Sequence, residues 1–262
     1  MTIHSGGVLR VAHRTSFAIL AIVALFSGCG TKDAADPLIP GPQGRVRFVT
    51  LITDTTKGRV NAILERVPFG VNLAYGGTTP SSLPSPATSI YKAILTGTRS
   101  LLLRRTLDTT ATVATFPLSI ATATDYTVYA TGGTGVTPIA AFVTTDTNST
   151  PVLGAVRVRV VHLSPTAGNV DLFVTAVGAD LSLTTPTVSN VAYQGSTYLP
   201  SVAAGTYQVR AVPAGTAPAA RSAAVSINLA SVALAANSAR TIIAADNNIG
   251  GAPLRFIALT DR

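Results

Sequence analysis

The chain has 262 residues, of which 47% are hydrophobic and 11% are charged, and its formal net charge is +8. This hydrophobic content excludes a charge-driven disordered chain, because such chains lack the apolar surface needed to form a core. The single cysteine excludes a disulfide framework and a cysteine-ligated metal site. Titratable side chains are scarce, and we therefore expect neither a catalytic site nor a cofactor.

The first thirty residues have the pattern of a secretory signal peptide. Arg10 and Arg14 form a basic segment, and ten apolar residues follow from Phe17 to Phe26. A membrane-spanning helix needs about 20 apolar residues, whereas a run of this length is typical of the apolar centre of a signal peptide. An uncleaved anchor helix and a buried core helix are the alternatives.

The end of this apolar run, Phe26-Ser27-Gly28-Cys29, resembles the lipobox of bacterial lipoproteins. The resemblance implies cleavage after residue 28 and acylation of Cys29, which would anchor the mature protein to a membrane. Gly30 stands where inner-membrane lipoproteins carry Asp, so the resemblance implies the outer membrane, with the protein facing either the periplasm or the cell surface. We expect a signal peptide over residues 1–28, and a lipidated cysteine with a flexible, proline-containing tether over 29–44.

Two similar stretches of sequence follow the tether. The matching segments are 44–50 with 155–161, 58–64 with 168–174, and 138–146 with 253–261. In the first pair of segments, apolar residues alternate with Arg45 and Arg47 and with Arg157 and Arg159, which predicts half-buried strands with the arginines on the solvent face. We therefore expect two domains, over residues 45–148 and 154–262.

Short runs rich in β-branched residues and tyrosine predict the strands of both domains. These runs are 60–64, 100–104, 126–130 and 139–143 in the first domain, and 170–174, 207–212, 240–245 and 254–259 in the second. Several short strands with regular turn signals are typical of a sandwich. The stretch Ala230–Ser238 is compatible with a helical turn, and we interpret it as a loop followed by the start of a strand.

Three segments of the second stretch, Arg157–Pro165, Asn169–Val174 and Ala204–Arg210, resemble the motifs of a bacterial family, domain of unknown function 4397. In the first stretch, Thr50 stands at the position of His162, so this copy is degenerate. The resemblance covers about residues 45–261 and implies an all-β protein with two tandem immunoglobulin-like or transthyretin-like β-sandwich domains. It implies no known activity.

Five residues of the second domain are candidates for a binding site: His162, Ser164, Asp171, Tyr198 and Tyr207. Histidine, serine and aspartate are also the residue types of a hydrolase triad, which requires all three within hydrogen-bond reach. Ser164 precedes a proline and lacks the G-x-S-x-G turn that exposes a nucleophile. We therefore expect His162 and Ser164 to bond backbone groups at the end of a strand.

Neither a metal ion nor a nucleic acid is an expected partner. Asp246-Asn247-Asn248 carries oxygen ligands suited to Ca²⁺, but Gly250-Gly251 follows, and a hairpin turn explains the same residues. The arginines are scattered, without a basic run or interleaved aromatic residues, unlike a nucleic-acid-binding surface.

The sequence predicts a non-catalytic, lipid-anchored protein of the bacterial cell envelope, with two modules for structural or adhesive interaction. The expected partners are the membrane, through the lipid on Cys29, and envelope polysaccharide or another envelope protein. The alternative is a small-ligand or polysaccharide-binding module that uses the second domain. A hydrolase is a third alternative.

Overall fold

A computed structural model describes residues 41–79, 91–135 and 137–261. The predicted signal peptide over residues 1–28, Cys29 and most of the predicted tether lie outside the described residues. The described part of the chain contains 17 strands and two short 3₁₀ turns, at Leu181–Leu183 and Pro218–Ala220. The all-β fold class is confirmed.

The first eight strands form a β-sandwich, which we call the first sandwich. These strands are β1 (Gln43–Ile52), β2 (Val60–Leu64), β3 (Val67–Leu73), β4 (Lys92–Leu95), β5 (Gly97–Arg105), β6 (Thr112–Ile120), β7 (Asp125–Gly132) and β8 (Ala140–Asp146). One sheet has the order β4-β1-β7-β8 and the other has the order β3-β2-β5-β6. β1 and β7 are parallel, from the pair Arg45 and Asp125 to the pair Ile52 and Gly132. The core between the sheets includes Phe48.

The remaining strands form the second sandwich. They are β9 (Ala155–Leu163), β10 (Val170–Thr175), β11 (Val188–Val191), β12 (Gly195–Tyr198), β13 (Val202–Ala203), β14 (Gly205–Pro213), β15 (Ile227–Leu234), β16 (Ala239–Ala245) and β17 (Arg255–Thr260). The sheets have the orders β12-β9-β16-β17 and β11-β10-β14-β15, and β13 also pairs with β9. Apart from β13, this arrangement repeats that of the first sandwich, with β9 in the place of β1 and β16 in the place of β7.

A third cluster of buried residues lies between the two sandwiches. It contains Val49, Leu51 and Tyr129 from the first sandwich, and Val161, Leu163, Ile243, Ala245 and Leu259 from the second. Side chains alternate between the two faces of a strand, so β1 and β9 contribute one face to their own sandwich and the other to this cluster. As a result, residues 46–52 and 158–163 are buried without interruption.

The predicted solvent exposure of Arg47 and Arg159 is wrong. Their exposed fractions are 0% and 1%, because the face that carries them packs against the other sandwich. Arg45 and Arg157, two residues nearer the strand starts, are half-buried. The interpretation of Ala230–Ser238 is also wrong, because its first half belongs to β15 and a turn follows.

The interface has two distinct ends. Arg47 and Arg159 lie in the middle of β1 and β9, and the end at which these two strands start is called the N-terminal end. Residues that follow β1, β7, β9 and β16 meet around one cleft at the opposite end, which we call the far end. There the Thr131 hydroxyl donates to the Leu163 carbonyl across 3.4 Å. β1 has ten residues at about 3.3 Å each, so the two ends are about 30 Å apart.

Candidate functional site

Two arginine–aspartate ion pairs cross the interface between the sandwiches. Arg47 of the first sandwich places Nη1 2.6 Å from Oδ1 of Asp261, which follows β17 of the second. In the opposite sense, Arg159 of the second sandwich donates from Nη1 to Oδ1 of Asp146, at the end of β8 of the first. All four side chains are at least nine-tenths buried. Each sandwich therefore supplies the countercharge for an arginine of the other.

Threonine hydroxyls connect the arginines to the aspartates. Arg47 Nε donates to Thr127 Oγ1 across 2.6 Å, and the Thr127 hydroxyl donates to Asp146. Arg159 Nε donates to Thr241 Oγ1 across 3.2 Å, and the Thr241 hydroxyl donates to Asp261 Oδ2 across 2.7 Å. Charged groups buried away from water need this kind of hydrogen bonding to offset their desolvation.

Tyrosine rings cover both arginines. The Arg47 guanidinium carbon lies 4.9 Å from the ring centre of Tyr91, and the Arg159 carbon lies 5.5 Å from that of Tyr198. The Tyr91 hydroxyl also donates to Asp146 Oδ2 across 2.6 Å. Such stacking favours a cation electrostatically.

The arginines of the two ion pairs keep their charge in the interface, although they are buried. Burial lowers the pKa of the Arg47 guanidinium, but the negative charge of Asp261 and its neighbours outweighs it and leaves that pKa above its ordinary value. The pKa of Arg159 is raised in the same way, against burial, by Tyr129 and Asp146. Burial raises the pKa of the Tyr91 hydroxyl. Arg47 and Arg159 are therefore charged, and Tyr91 is neutral, throughout the physiological range.

Sequence reasoning missed these residues as a group, although a signal for them was present. Arg47 and Asp146 of the first domain recur in the second as Arg159 and Asp261, within segments that the repeat alignment had already matched. An arginine and an aspartate that both recur in the two copies of a repeat are the pattern expected of a self-complementary interface.

His162 and Ser164 lie at the end of β9 and stabilise the turn that follows. His162 is buried, and its Nε2 lies 2.7 Å from the Gly168 carbonyl, while its Nδ1 accepts from the Ser164 backbone N–H across 3.4 Å. Nε2 therefore carries the proton. Burial lowers the pKa of His162, so the imidazole is neutral at pH 7. The backbone bonds expected of His162 are present.

The carboxylate of Asp246, which follows β16, gathers hydrogen bonds from the same turn. Its Oδ1 accepts from the hydroxyls of Ser164 and Thr166, the latter across 2.8 Å. Its Oδ2 accepts from the Gly251 N–H across 2.9 Å, and its backbone carbonyl accepts from the Tyr75 hydroxyl of the first sandwich across 2.6 Å. Ser164 is therefore bonded to a carboxylate, which the sequence did not predict.

The other predicted binding residues lie elsewhere. Asp171, in β10, accepts from the backbone N–H groups of Asn190 and Gly215. The Tyr198 hydroxyl accepts from the Thr147 N–H across 2.9 Å, and the Tyr207 hydroxyl donates to the Ala203 carbonyl across 3.0 Å. Three of the five side chains, those of Asp171, Tyr198 and Tyr207, thus have separate partners, and the structure brings together only His162 and Ser164.

A cleft of about 470 Å³ lies at the far end of the interface, beside Asp246. Both sandwiches line it. The lining residues are Thr53, Gly132, Thr134, Gly135, Thr137, Pro165, Thr166, Asp246, Gly250 and Gly251. Hydroxyl groups, backbone and one carboxylate supply the polar atoms of this lining, carbon atoms form most of its surface, and the cleft has the size of a site for small ligands.

Among residues 41–79, 91–135 and 137–261, no three His, Cys, Asp or Glu side chains are placed to hold a metal ion. In the same part of the chain, no helix has the length and apolar character needed to cross a membrane.

The strand order and the cores define an all-β protein of two β-sandwiches that share a buried interface. A family model, the domain of unknown function DUF4397, matches residues 44–173, and the chain is similar to this family over those residues. The match begins in β1 and ends in β10, so it covers the first sandwich and the start of the second. No curated protein gives a significant match to the chain.

Proposed function

We propose that the chain is a non-catalytic, lipid-anchored module of the bacterial cell envelope, in which the two sandwiches act as one rigid unit for structural or adhesive interaction. The observation that carries this proposal is the pair of buried ion pairs that cross the interface, Arg47 with Asp261 and Arg159 with Asp146. Domains of one chain move relative to each other unless a large apolar interface holds them. In this protein, the buried apolar cluster between the sandwiches and the two ion pairs together hold the sandwiches against each other.

The buried polar groups support a structural role for the interface. Its arginines, aspartates and threonines bond one another, and His162, Ser164 and Asp246 stabilise the turns at the far end. Side chains fixed in this way give a precise shape to the surface around them. A precisely shaped, rigid module is suited to holding a partner at a set position in the envelope.

Membrane attachment is proposed from the sequence. Phe26-Ser27-Gly28-Cys29 supports acylation of Cys29, and Gly30 supports the outer membrane as the destination. β1 begins at the N-terminal end of the interface. A lipid on Cys29 would therefore attach the module by that end, through the predicted tether.

The anchoring proposal is tested by labelling cells with an alkyne analogue of palmitate. We expect the full chain to take up the label and Cys29→Ser to take up none and to keep its signal peptide, because the thiol is the acylation site. Ser27→Ala is the matched control, since the lipobox pattern accepts either residue before the glycine. Labelled Cys29→Ser would overturn the lipid anchor.

A binding module is the second candidate function. The observation that favours it is the cleft at the far end, which both sandwiches line. This candidate differs from the earlier expectation, because the cleft uses both sandwiches and contains none of the five residues predicted for binding.

A further inference from the structure

We infer that the cleft at the far end binds a neutral, polyhydroxylated ligand, a saccharide. This inference rests on the second candidate function and deepens it. Its volume of about 470 Å³ lies within the range of small-ligand sites, which is roughly 300–1,000 Å³. The class of ligand follows from which hydrogen-bond donors and acceptors of the lining residues are already used within the protein.

Three threonine hydroxyls of the cleft, those of Thr53, Thr134 and Thr166, have their protons already committed. Thr53 donates to the Gly132 carbonyl across 3.1 Å, so the 2.6 Å contact between Thr53 and Thr134 requires Thr134 to donate to Thr53. Thr166 donates to Asp246. The exposed residues Thr134 and Thr166 therefore offer lone pairs to a ligand. At these two threonines, a matching ligand donates hydrogen bonds.

The charges around the cleft favour a neutral donor. Asp246 is only 2% exposed, and it already accepts from Ser164, Thr166 and Gly251. A carboxylate with three donors has little need of a further cation. Neither lysine nor arginine is among the residues that line the cleft, so an anionic ligand would find no countercharge there. Sugar hydroxyls meet these requirements as neutral donors.

The cleft is shaped by a close approach of the two sandwiches. Gly250 has φ +87°, and a Cβ added there would lie 2.8 Å from Cβ of Thr134 in the opposite sandwich. Glycine is therefore required at this contact. Because the same contact holds Thr134 in place, the acceptor groups are positioned before any ligand arrives, which reduces the entropy lost on binding.

The experiment measures binding of neutral trisaccharides of glucose, mannose and N-acetylglucosamine to the purified full chain, in a detergent without a sugar head group. Titration calorimetry up to about 10 mM would detect weak binding. We expect at least one trisaccharide to bind. The double variant Thr134→Val with Thr166→Val should bind roughly tenfold more weakly, because valine keeps the shape and removes both acceptors. Thr206→Val, an exposed threonine of β14, is the matched control and should bind normally.

A second measurement serves if the double variant fails to fold. Amide chemical shifts of the unmodified protein should then change at Gly250 and Gly251 when the trisaccharide is added. Binding of no neutral trisaccharide, shifts confined to another surface, or tighter binding of trilysine than of every sugar would each overturn the inference. The sugar-binding measurement does not depend on lipid attachment. A wild-type chain that binds a trisaccharide but takes up no palmitate label would therefore overturn the lipid anchor and leave the saccharide inference standing.

Discussion

Arg47 and Asp261 lie at opposite ends of the folded chain, yet Nη1 of the arginine is 2.6 Å from Oδ1 of the aspartate in a buried interface. Arg159 and Asp146 form the reciprocal pair. A buried ion pair contributes little net stability over an apolar pair of the same size, but the loss of one partner leaves a buried charge without compensation. The two pairs therefore act mainly by specifying how the sandwiches pack.

Removal of one interface arginine should destabilise the whole module. We expect Arg47→Met to lower the free energy of unfolding by about 3–5 kcal/mol, because Asp261 would then be buried without its countercharge. Arg45→Met, two residues earlier on the same strand, is the matched control. Arg45 is 43% exposed in its two-bond pair with Asp125, so its loss should lower the free energy of unfolding by less than the loss of Arg47. Urea unfolding followed by circular dichroism measures both.

The double variant Arg47→Met with Asp261→Leu separates charge from packing. It should regain part of the stability lost in Arg47→Met, since no charge is left without its partner. Equal losses in Arg47→Met and Arg45→Met would contradict a structural role for the crossed ion pairs.

The shared interface also changes what we expect of a fragment that contains the second sandwich. Each sandwich has its own core, and the sequence alone suggests that residues 151–262 fold independently. However, the fragment would expose Val161, Leu163 and Ile243 and leave Arg159 without Asp146. We expect the full chain to unfold in a single transition and the fragment to unfold at a lower urea concentration. A fragment as stable as the full chain would count against a shared interface in solution.

Strand positions were predictable from the sequence because they depend on local patterns. The predicted strand at Val60–Leu64 coincides with β2, and alternating valine and arginine correctly located β1 and β9. The burial of Arg47 was not predictable from that alternation, since a solvent face and a face covered by a matching carboxylate have the same polar pattern. The bond from Ser164 to Asp246 was likewise hidden, because it depends on β9 and β16 being neighbours in the sheet.

His162 should make stability depend on pH in the weakly acidic range. Its pKa in the folded protein is lowered by burial, so below about pH 6.5 the unfolded chain binds a proton that the folded chain does not. The contribution of His162 is therefore fully present above that pH and is lost as the pH falls through the lowered pKa. We expect His162→Gln to have a flatter stability profile between about pH 4 and 7, because glutamine can donate to Gly168 without titrating.

The hydrogen bonds of His162 are tested by a second substitution. His162→Ala should lower the free energy of unfolding by about 1–3 kcal/mol at pH 7, since the Gly168 carbonyl loses its donor. His162→Thr, which introduces the residue of the first copy, should recover part of this loss. Unchanged stability in His162→Ala, together with loss of trisaccharide binding, would reassign His162 from a structural to a binding role.

Tyr75 should make the contact between the sandwiches sensitive to alkaline pH. Its hydroxyl donates to the Asp246 carbonyl across 2.6 Å, and burial raises its pKa to about 12 from an ordinary value of 10.0. The unfolded chain therefore loses this proton first as the pH rises, so the contribution of Tyr75 is complete below about pH 10 and disappears as the pH passes through 12. Tyr75→Phe should be less stable at pH 8 by about 0.5–1.5 kcal/mol and should lose less stability between about pH 10 and 12. Tyr193→Phe, in the turn between β11 and β12, is the control. If stability falls with rising pH in Tyr75→Phe as it does in the unmodified chain, the hydrogen bond from Tyr75 to the Asp246 carbonyl does not link the sandwiches.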